Sequence, residues 1–110
     1  MTNISNIFNL PELLPNEELF ETLRSTDNMV IERIISSGQI TPPGQWYDQE
    51  TDEWVILLQG VAELSYDDGK RIKIKAGDYI FIKAHQKHRV EYTSSSPPCI
   101  WLAVHTLLIS

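Results

Sequence analysis

From Met29 onward, short runs of β-branched and aromatic residues are separated by turn residues. The run RIKIK shows the pattern most clearly, because Ile72 and Ile74 would lie on one face of a strand and the basic residues on the other. Before it, Asp67-Asp68-Gly69-Lys70 contains a glycine that can take the positive φ of a tight hairpin. Roughly eight strands at short spacing, with no helical pattern between them, predict an all-β fold, a sandwich or a barrel.

The N-terminal segment has a different pattern. Asn16 is a suitable helix N-cap, and Glu17 and Glu18 suit the positive end of a helix dipole. The apolar face of such a helix would consist of Leu19, Phe20 and Leu23. We therefore expect residues 1–28 to contain one short helix that packs on a β-barrel formed by residues 29–110.

Charge and composition exclude several classes of function. The 110 residues carry a formal net charge of −6, which argues against nucleic acid as a main partner. The single cysteine, Cys99, begins the apolar run CIWLAV and is expected to be a buried structural thiol. The start of the chain lacks the pattern of a signal peptide, and no apolar run approaches the ~20 residues of a membrane span. We expect one cytoplasmic domain that does not bind membranes.

A cluster of acidic residues directly precedes an apolar run that begins at Trp54. Its members are Asp48, Glu50, Asp52 and Glu53. A calcium loop that began at Asp48 would need a glutamate at its twelfth position, which is Gln59. Glu50 and Asp52 are expected in a solvated turn, whereas Glu53 adjoins the apolar run and is expected to be buried. A buried glutamate must be paired, metal-bound or protonated.

Two spaced patterns resemble the signature motifs of the cupin superfamily. They are Glu53-x6-Gly60 and Gly77-x5-Lys83-x-His85-x2-His88. The family motifs read G-x5-H-x-H-x3/4-E-x6-G and G-x5-P-x-G-x2-H-x3-N. The resemblance covers residues 30–105 and implies a small antiparallel jelly-roll β-barrel.

The chain departs from these motifs at the positions that matter for chemistry. In many cupins the two first-motif histidines, the glutamate and the second-motif histidine hold one divalent metal. Here the histidine positions fall on Tyr47 and Gln49 with the three-residue spacing, or on Trp46 and Asp48 with the four-residue spacing. In the second motif, the proline, glycine and asparagine are replaced by Lys83, His85 and Tyr92.

The resemblance implies a pocket inside the barrel in which Glu53 and His88 converge with Tyr47 and Gln49, or with Asp48. Glu53 and His88 would be acid–base groups or metal ligands, and Tyr47 a proton donor or gate. A metal set of Glu53, His88 and Gln49 or Asp48 would hold one Zn, Fe, Ni or Mn ion. Because His88 is the one imidazole in this set, a metal-free pocket is the other interpretation.

The other two histidines have simpler expectations. His85 falls in a turn, which predicts a solvated ring. His105 lies among apolar residues near the end of the chain and is expected to pack in the core or at an interface. Either could complete a ligand set if it pointed inward.

Three functions are compatible with these residues. The first is a binding protein that holds a small polar or carboxylated metabolite between Glu53 and His88. The second is a small enzyme of the dioxygenase, isomerase or lyase type, with or without a metal. The third is a mainly structural role as a homodimer, which many small cupins form.

Overall fold

The structure is a computed structural model that describes residues 3–106. Its strands are β1 (Leu19–Ser25), β2 (Met29–Ser36), β3 (Asp52–Gln59), β4 (Val61–Tyr66), β5 (Arg71–Lys75), β6 (Tyr79–Ile82), β7 (His88–Thr93) and β8 (Cys99–Thr106). They form a five-stranded sheet in the order β1-β2-β8-β3-β6 and a three-stranded sheet in the order β5-β4-β7. Every strand pair is antiparallel, so the all-β antiparallel prediction is confirmed.

The predicted N-terminal helix is wrong. Its residues form β1, which pairs with β2 in a register that sets Leu19 opposite Ile35 and Phe20 opposite Ile34. A helix of about three turns is marginal on its own, whereas β1 finds backbone partners along the free edge of β2. The tertiary pairing therefore overrides the local helix signals, and part of segment 1–28 belongs to the sheet.

Before β1, the chain crosses the outer face of the five-stranded sheet and is fixed there by Arg33. This guanidinium donates to the backbone oxygens of Ile7 at 3.0 Å and Asn9 at 2.8 Å. It also forms an ion pair with Glu21 at 2.7 Å. Arg33 is buried, so these contacts satisfy its charge and hold the segment.

The core lies between the two sheets. Its buried members are Val55, Leu57, Ala62, Leu64, Ile74, Ile82, Cys99, Trp101 and Ala103. Cys99 has no exposed surface, as the sequence predicted. The predicted last strand continues to residue 109, but residues 107–109 lie outside the described part of the chain.

The turn between β3 and β4 requires glycine. Gly60 has a φ of +91°, and a Cβ at this position would lie 2.8 Å from Ser94 Oγ and 2.9 Å from Cys99 Sγ. Both the backbone conformation and the space exclude a side chain.

Within residues 3–106, no helix is long and apolar enough to cross a membrane.

Candidate functional site

A cavity of about 80 Å³ opens at one end of the space between the sheets. Apolar walls are contributed by Ile34, Val55 and Trp101, among others. The polar side chains that line it are Glu18, Glu32, Tyr47, Gln49, Glu53, His88 and His105. An apolar cavity with a few convergent polar groups is the usual form of a small-molecule site.

Glu53 lies on β3 and faces the interior with Val55 and Leu57, because alternate residues of a strand share a face. Only 6% of its surface is exposed, so the expected burial is confirmed. Burial raises the pKa of the Glu53 carboxyl, and the neighbouring Glu32 adds to this effect. His105, His88 and a hydrogen bond from Gln49 act on that pKa in the opposite direction. Burial thus disfavours the charged form of Glu53, and the two histidines and Gln49 offset part of that effect.

His88 begins β7 and is 6% exposed. Its Nδ1 lies 3.0 Å from the backbone oxygen of Gln86. A carbonyl oxygen can only accept, so Nδ1 carries the proton and Nε2 of the neutral ring bears a lone pair. No side chain among residues 3–106 forms a hydrogen bond with that Nε2, which leaves it available to a ligand.

The loop before β3 brings Tyr47 against His88. The two residues exchange backbone hydrogen bonds of 2.8 and 3.1 Å, and their rings stack with centroids 5.4 Å apart. Burial raises the pKa of the Tyr47 phenol, and the charges of Glu18 and Glu53 raise it further. Tyr47 therefore remains protonated and can donate its hydroxyl hydrogen.

Arg89 fixes the same loop from outside the cavity. Its guanidinium donates to the backbone oxygens of Thr41 at 2.9 Å and of Pro42 and Gln45 at 3.0 Å each. The ring of Trp46 lies 5.8 Å from this guanidinium carbon. These contacts order the chain that carries Tyr47.

Gln49 completes the inner surface of this loop. Its side-chain amide lies near Glu53 and lowers the pKa of that carboxyl. Its Oε1 is buried and lacks a hydrogen-bond partner within the described residues. Buried acceptors are normally satisfied, so an orphan at this place marks a position for a donor from a ligand.

A second histidine also lines the cavity. His105 on β8 is the cross-strand neighbour of Glu53, and its Nε2 lies 2.8 Å from Glu32 Oε1. Its Nδ1 lies 3.4 Å from Thr51 Oγ1. The hydrogen bond with Glu32 is the main cause that raises the pKa of His105, and the charge of Glu53 adds to it. His105 therefore favours the charged form and is paired with Glu32.

Asp48 does not line the cavity. Its carboxylate lies 2.8 Å from His85 Nδ1, and both side chains are well exposed. Glu50 is exposed too, whereas Asp52 is half-buried and accepts a hydrogen bond from the Ala84 backbone at 2.8 Å. The structure thus brings Tyr47 and Gln49, rather than Asp48, to Glu53 and His88. The catalytic and ligand roles of these residues stay predictions.

The donor set falls short of what a first-row divalent metal takes in proteins. No group of three or more His, Cys, Asp or Glu side chains within residues 3–106 is arranged to hold an ion. Glu53 and His88 offer two good ligands, Gln49 offers a weak amide oxygen, and the protonated Tyr47 is a poor ligand. Among residues 3–106, the donors of the lining are thus not grouped as a metal site.

Sequence reasoning did not place Glu18, Phe20 or Glu32 in the lining, and it left the orientation of His105 open. Glu18 and Phe20 were hidden by the wrong helix prediction. Glu32 carried a usable signal, because it shares the inner face of β2 with Ile34. His105 likewise shares its face with Trp101 and Ala103.

Comparison with known proteins gives the family. The family model described as a cupin domain matches residues 34–105. A solved structure from Ralstonia eutropha JMP134, provisionally named a mannose-6-phosphate isomerase, is 36% identical with a TM-score of 0.91. The match covers 97% of this chain and 100% of that one. No curated protein matches the chain.

Two other solved structures share the fold at lower identity. A cupin superfamily protein from Desulfitobacterium hafniense DCB-2 is 19% identical with a TM-score of 0.74, covering 89% of this chain and 84% of its own. An RmlC-like cupin with a double-stranded β-helix fold from Methanocaldococcus jannaschii is 15% identical with a TM-score of 0.69, covering 96% and 94%. The predicted jelly-roll resemblance is thereby confirmed, and the chain belongs to the cupin family.

Proposed function

We propose that this protein binds a small polar metabolite in the barrel cavity, held by Glu53 and His88. The observation that supports the proposal most directly is the free Nε2 of His88, on a side chain that is 6% exposed and lines an otherwise apolar cavity. An imidazole nitrogen without a protein partner, on a largely buried ring, can accept a hydrogen bond from a ligand. Gln49 Oε1 is a second unused acceptor in the same lining.

The volume of the cavity limits the ligand. At about 80 Å³, it is roughly half of a ~150 Å³ protein cavity that holds a benzene ring. A group of about three or four non-hydrogen atoms would therefore be enclosed, and the rest of a larger ligand would extend through the mouth beside Glu18 and Phe20.

Ligand-dependent stabilisation tests the binding function. The wild type, His88→Ala and the matched surface variant Glu50→Gln would be screened by thermal unfolding against small polyols, amines, carboxylates and sugar phosphates. We expect at least one compound to stabilise the wild type and Glu50→Gln but not His88→Ala. Equal stabilisation of all three variants would refute the site, and isothermal titration of the hits would give the affinities.

An isomerase-type proton transfer is the second candidate function. A buried carboxyl with a raised pKa, next to an imidazole and a phenol, is a suitable group to accept and return a proton. Its support from the comparisons is the name of the Ralstonia eutropha relative, which describes an isomerase. In this mechanism Glu53 would take a proton from the carbon beside a carbonyl, and Tyr47 would donate a hydrogen bond to the carbonyl oxygen.

Deuterium incorporation tests this candidate without knowledge of the product. Small hydroxy-aldehydes and hydroxy-ketones incubated in D₂O would exchange the hydrogen beside the carbonyl, as followed by proton NMR. The exchange should fall by about 100-fold or more in Glu53→Gln, as expected for loss of a general base. Exchange at the wild-type rate in Glu53→Gln would exclude Glu53 as the base.

A homodimer is the third proposal, and its support lies at β6. Within the described residues this strand pairs only with β3, so its other edge is free. Tyr79 and Phe81 on β6 are 65% and 54% exposed. A free edge that carries aromatic side chains can pair with the same edge of a second copy around a two-fold axis. Light scattering coupled to size exclusion should give a dimer mass for the wild type and a monomer mass for Phe81→Lys.

A further inference from the structure

We infer that the cavity selects a protonated amine, and that the ammonium group of the ligand is bound between Glu53, Gln49 and His88. This inference rests on the proposed binding function and names its ligand class. It follows from the charge of the lining and from the kind of hydrogen-bonding groups that the lining leaves unused.

The charge of the lining is negative. Among residues 3–106, three glutamates line the cavity, Glu18, Glu32 and Glu53, and no lysine or arginine does. The positive charge of His105 is directed at Glu32, to which its Nε2 is bonded at 2.8 Å. Glu18 accepts only a neutral hydroxyl from Ser36 at 2.5 Å. A carboxylate or phosphate would therefore meet uncompensated negative charge in a confined space, whereas a cation would neutralise it.

The unused hydrogen-bonding groups are acceptors. In the neutral form of His88, Nε2 bears the lone pair, because Nδ1 donates to the Gln86 backbone oxygen. Gln49 Oε1 lacks a partner within residues 3–106. A cation beside Glu53 would favour the ionised form of that carboxyl, which accepts as well. A primary ammonium group carries three N–H donors and no acceptor, which matches three acceptors in the lining of one cavity. A single hydroxyl offers one donor and leaves the other acceptors unsatisfied.

The same arrangement disfavours a phosphorylated sugar as the ligand. Phosphate sites in proteins are built from arginine, lysine or the amide groups of a helix N-terminus. The described residues of the lining offer none of these, since they belong to strands, to the loop that carries Tyr47 and Gln49, or, for Glu18, to the position just before β1. The ligand of this cavity therefore differs in charge from the compound named for the Ralstonia eutropha relative.

Matched probes of equal size test the inference. Two sets would be titrated at pH 7.5 into EDTA-treated protein by calorimetry and by NMR. One set is 2-aminoethanol, ethylene glycol and glycolate, and the other is propylamine, 1-propanol and propionate. We expect the amine of at least one set to bind about tenfold or more tightly than its hydroxyl counterpart, which corresponds to ~1.4 kcal/mol. The carboxylates should give no measurable binding.

Variants assign the effect to the lining. Glu53→Gln should weaken the amine by about tenfold or more and leave the hydroxyl counterpart nearly unchanged, because only the cation loses its countercharge. Glu18 is half-buried, so Glu18→Gln should weaken binding of the amine by a smaller factor. It serves as a second variant if Glu53→Gln is poorly folded. Glu50→Gln, on the exposed loop, should bind all probes as the wild type does.

The outcomes separate the inference from the proposed function. If hydroxyl or carboxylate probes bind as tightly as amines, and His88→Ala abolishes that binding, the amine inference fails and the proposed function stands. If no probe binds, and His88→Ala responds to the compounds of the thermal-unfolding screen as the wild type does, the amine inference and the proposed function both fail. One equivalent of a transition metal in the purified protein, lost in His88→Ala, would also overturn the amine inference, because the metal would occupy the same acceptors.

Discussion

Strands β3 and β8 run along the whole barrel interior, and their inward residues change in character from one end to the other. At the polar end, Glu53 lies opposite His105. At the packed end, Leu57 lies opposite Trp101, and Leu57 and Cys99 have no exposed surface. The same backbone geometry thus carries a cavity with acids and imidazoles at one end and a dry core at the other.

The contrast predicts that the packed end carries stability and that the polar end carries the proposed ligand site. Filling the polar end with apolar side chains would avoid the cost of burying Glu53 next to Glu32. Side chains kept at a place where they cost stability are expected to serve a ligand. The packed end holds the strands in register, so that Glu53, His88 and Gln49 keep their relative positions.

The largest effect on stability is expected at the packed end. Leu57→Ala removes a fully buried side chain and should lower the free energy of unfolding by about 2–5 kcal/mol, because the surrounding core cannot collapse into the space. Urea denaturation followed by tryptophan fluorescence measures this loss. Ligand affinity of the folded fraction should stay within about twofold. A loss below about 1 kcal/mol would show that the packed end is less rigid than its burial indicates.

At the polar end, the largest effect should fall on binding. Glu53→Gln keeps the size of the side chain and removes its charge, so the free energy of unfolding at pH 7 should fall by less than about 1 kcal/mol or rise. Binding should weaken by about tenfold or more. Chemical denaturation and calorimetry on the same preparation measure both quantities. A large loss of stability without a loss of binding would reverse the roles assigned to the two ends.

The response to pH should also come from the polar end. The folded protein raises the pKa of Glu53 by burial and that of His105 by its bond to Glu32. Glu53 contributes to the free energy of unfolding below its ordinary pKa of about 4.3, and His105 contributes below its ordinary pKa of about 6.5. Each is lost as the pH rises through the raised value in the folded protein. The urea midpoint should therefore fall as the pH rises above about 4.3, and fall further as it rises above about 6.5.

Variants at the polar end should flatten this dependence. Glu53→Gln and His105→Gln each remove one of the two groups, whereas Leu57→Ala should keep the slope of the wild type. The groups around Glu53 are His88, His105, Glu32 and Gln49. Because His105 is one of them, the double variant Glu53→Gln/His105→Gln tests whether the titrations of the two groups are coupled. An unchanged slope in Glu53→Gln would mean that its pKa is not raised in the folded protein.

The smallest effect is expected outside both ends. Asp48 is exposed and pairs with the exposed His85, and such pairs contribute little. Asp48→Asn should change the free energy of unfolding by less than about 0.5 kcal/mol and leave ligand binding unaltered. A tenfold loss of binding in Asp48→Asn would show that this acid reaches the cavity, as the four-residue motif spacing had allowed.

Sequence reasoning succeeded where local patterns and tertiary contacts agree. The alternation in RIKIK became β5, and the inward phase of β3 correctly predicted burial of Glu53. It failed at β1, where Glu17, Glu18 and the nearby leucines gave helix signals that the free edge of β2 overrides. That error also concealed Glu18 and Phe20 as lining residues, because side-chain direction depends on the type of element.

By itself, the sequence determined the all-β class, the burial of Glu53 and Cys99, and the candidate set around Glu53 and His88. These features depend on strand alternation, on motif spacing and on the cost of exposing apolar residues, which are properties of neighbouring residues. Only the tertiary structure decided that Tyr47 and Gln49 line the cavity rather than Asp48, and that His105 pairs with Glu32. Those choices depend on contacts between strands distant in sequence, whose geometry is set when the two sheets pack.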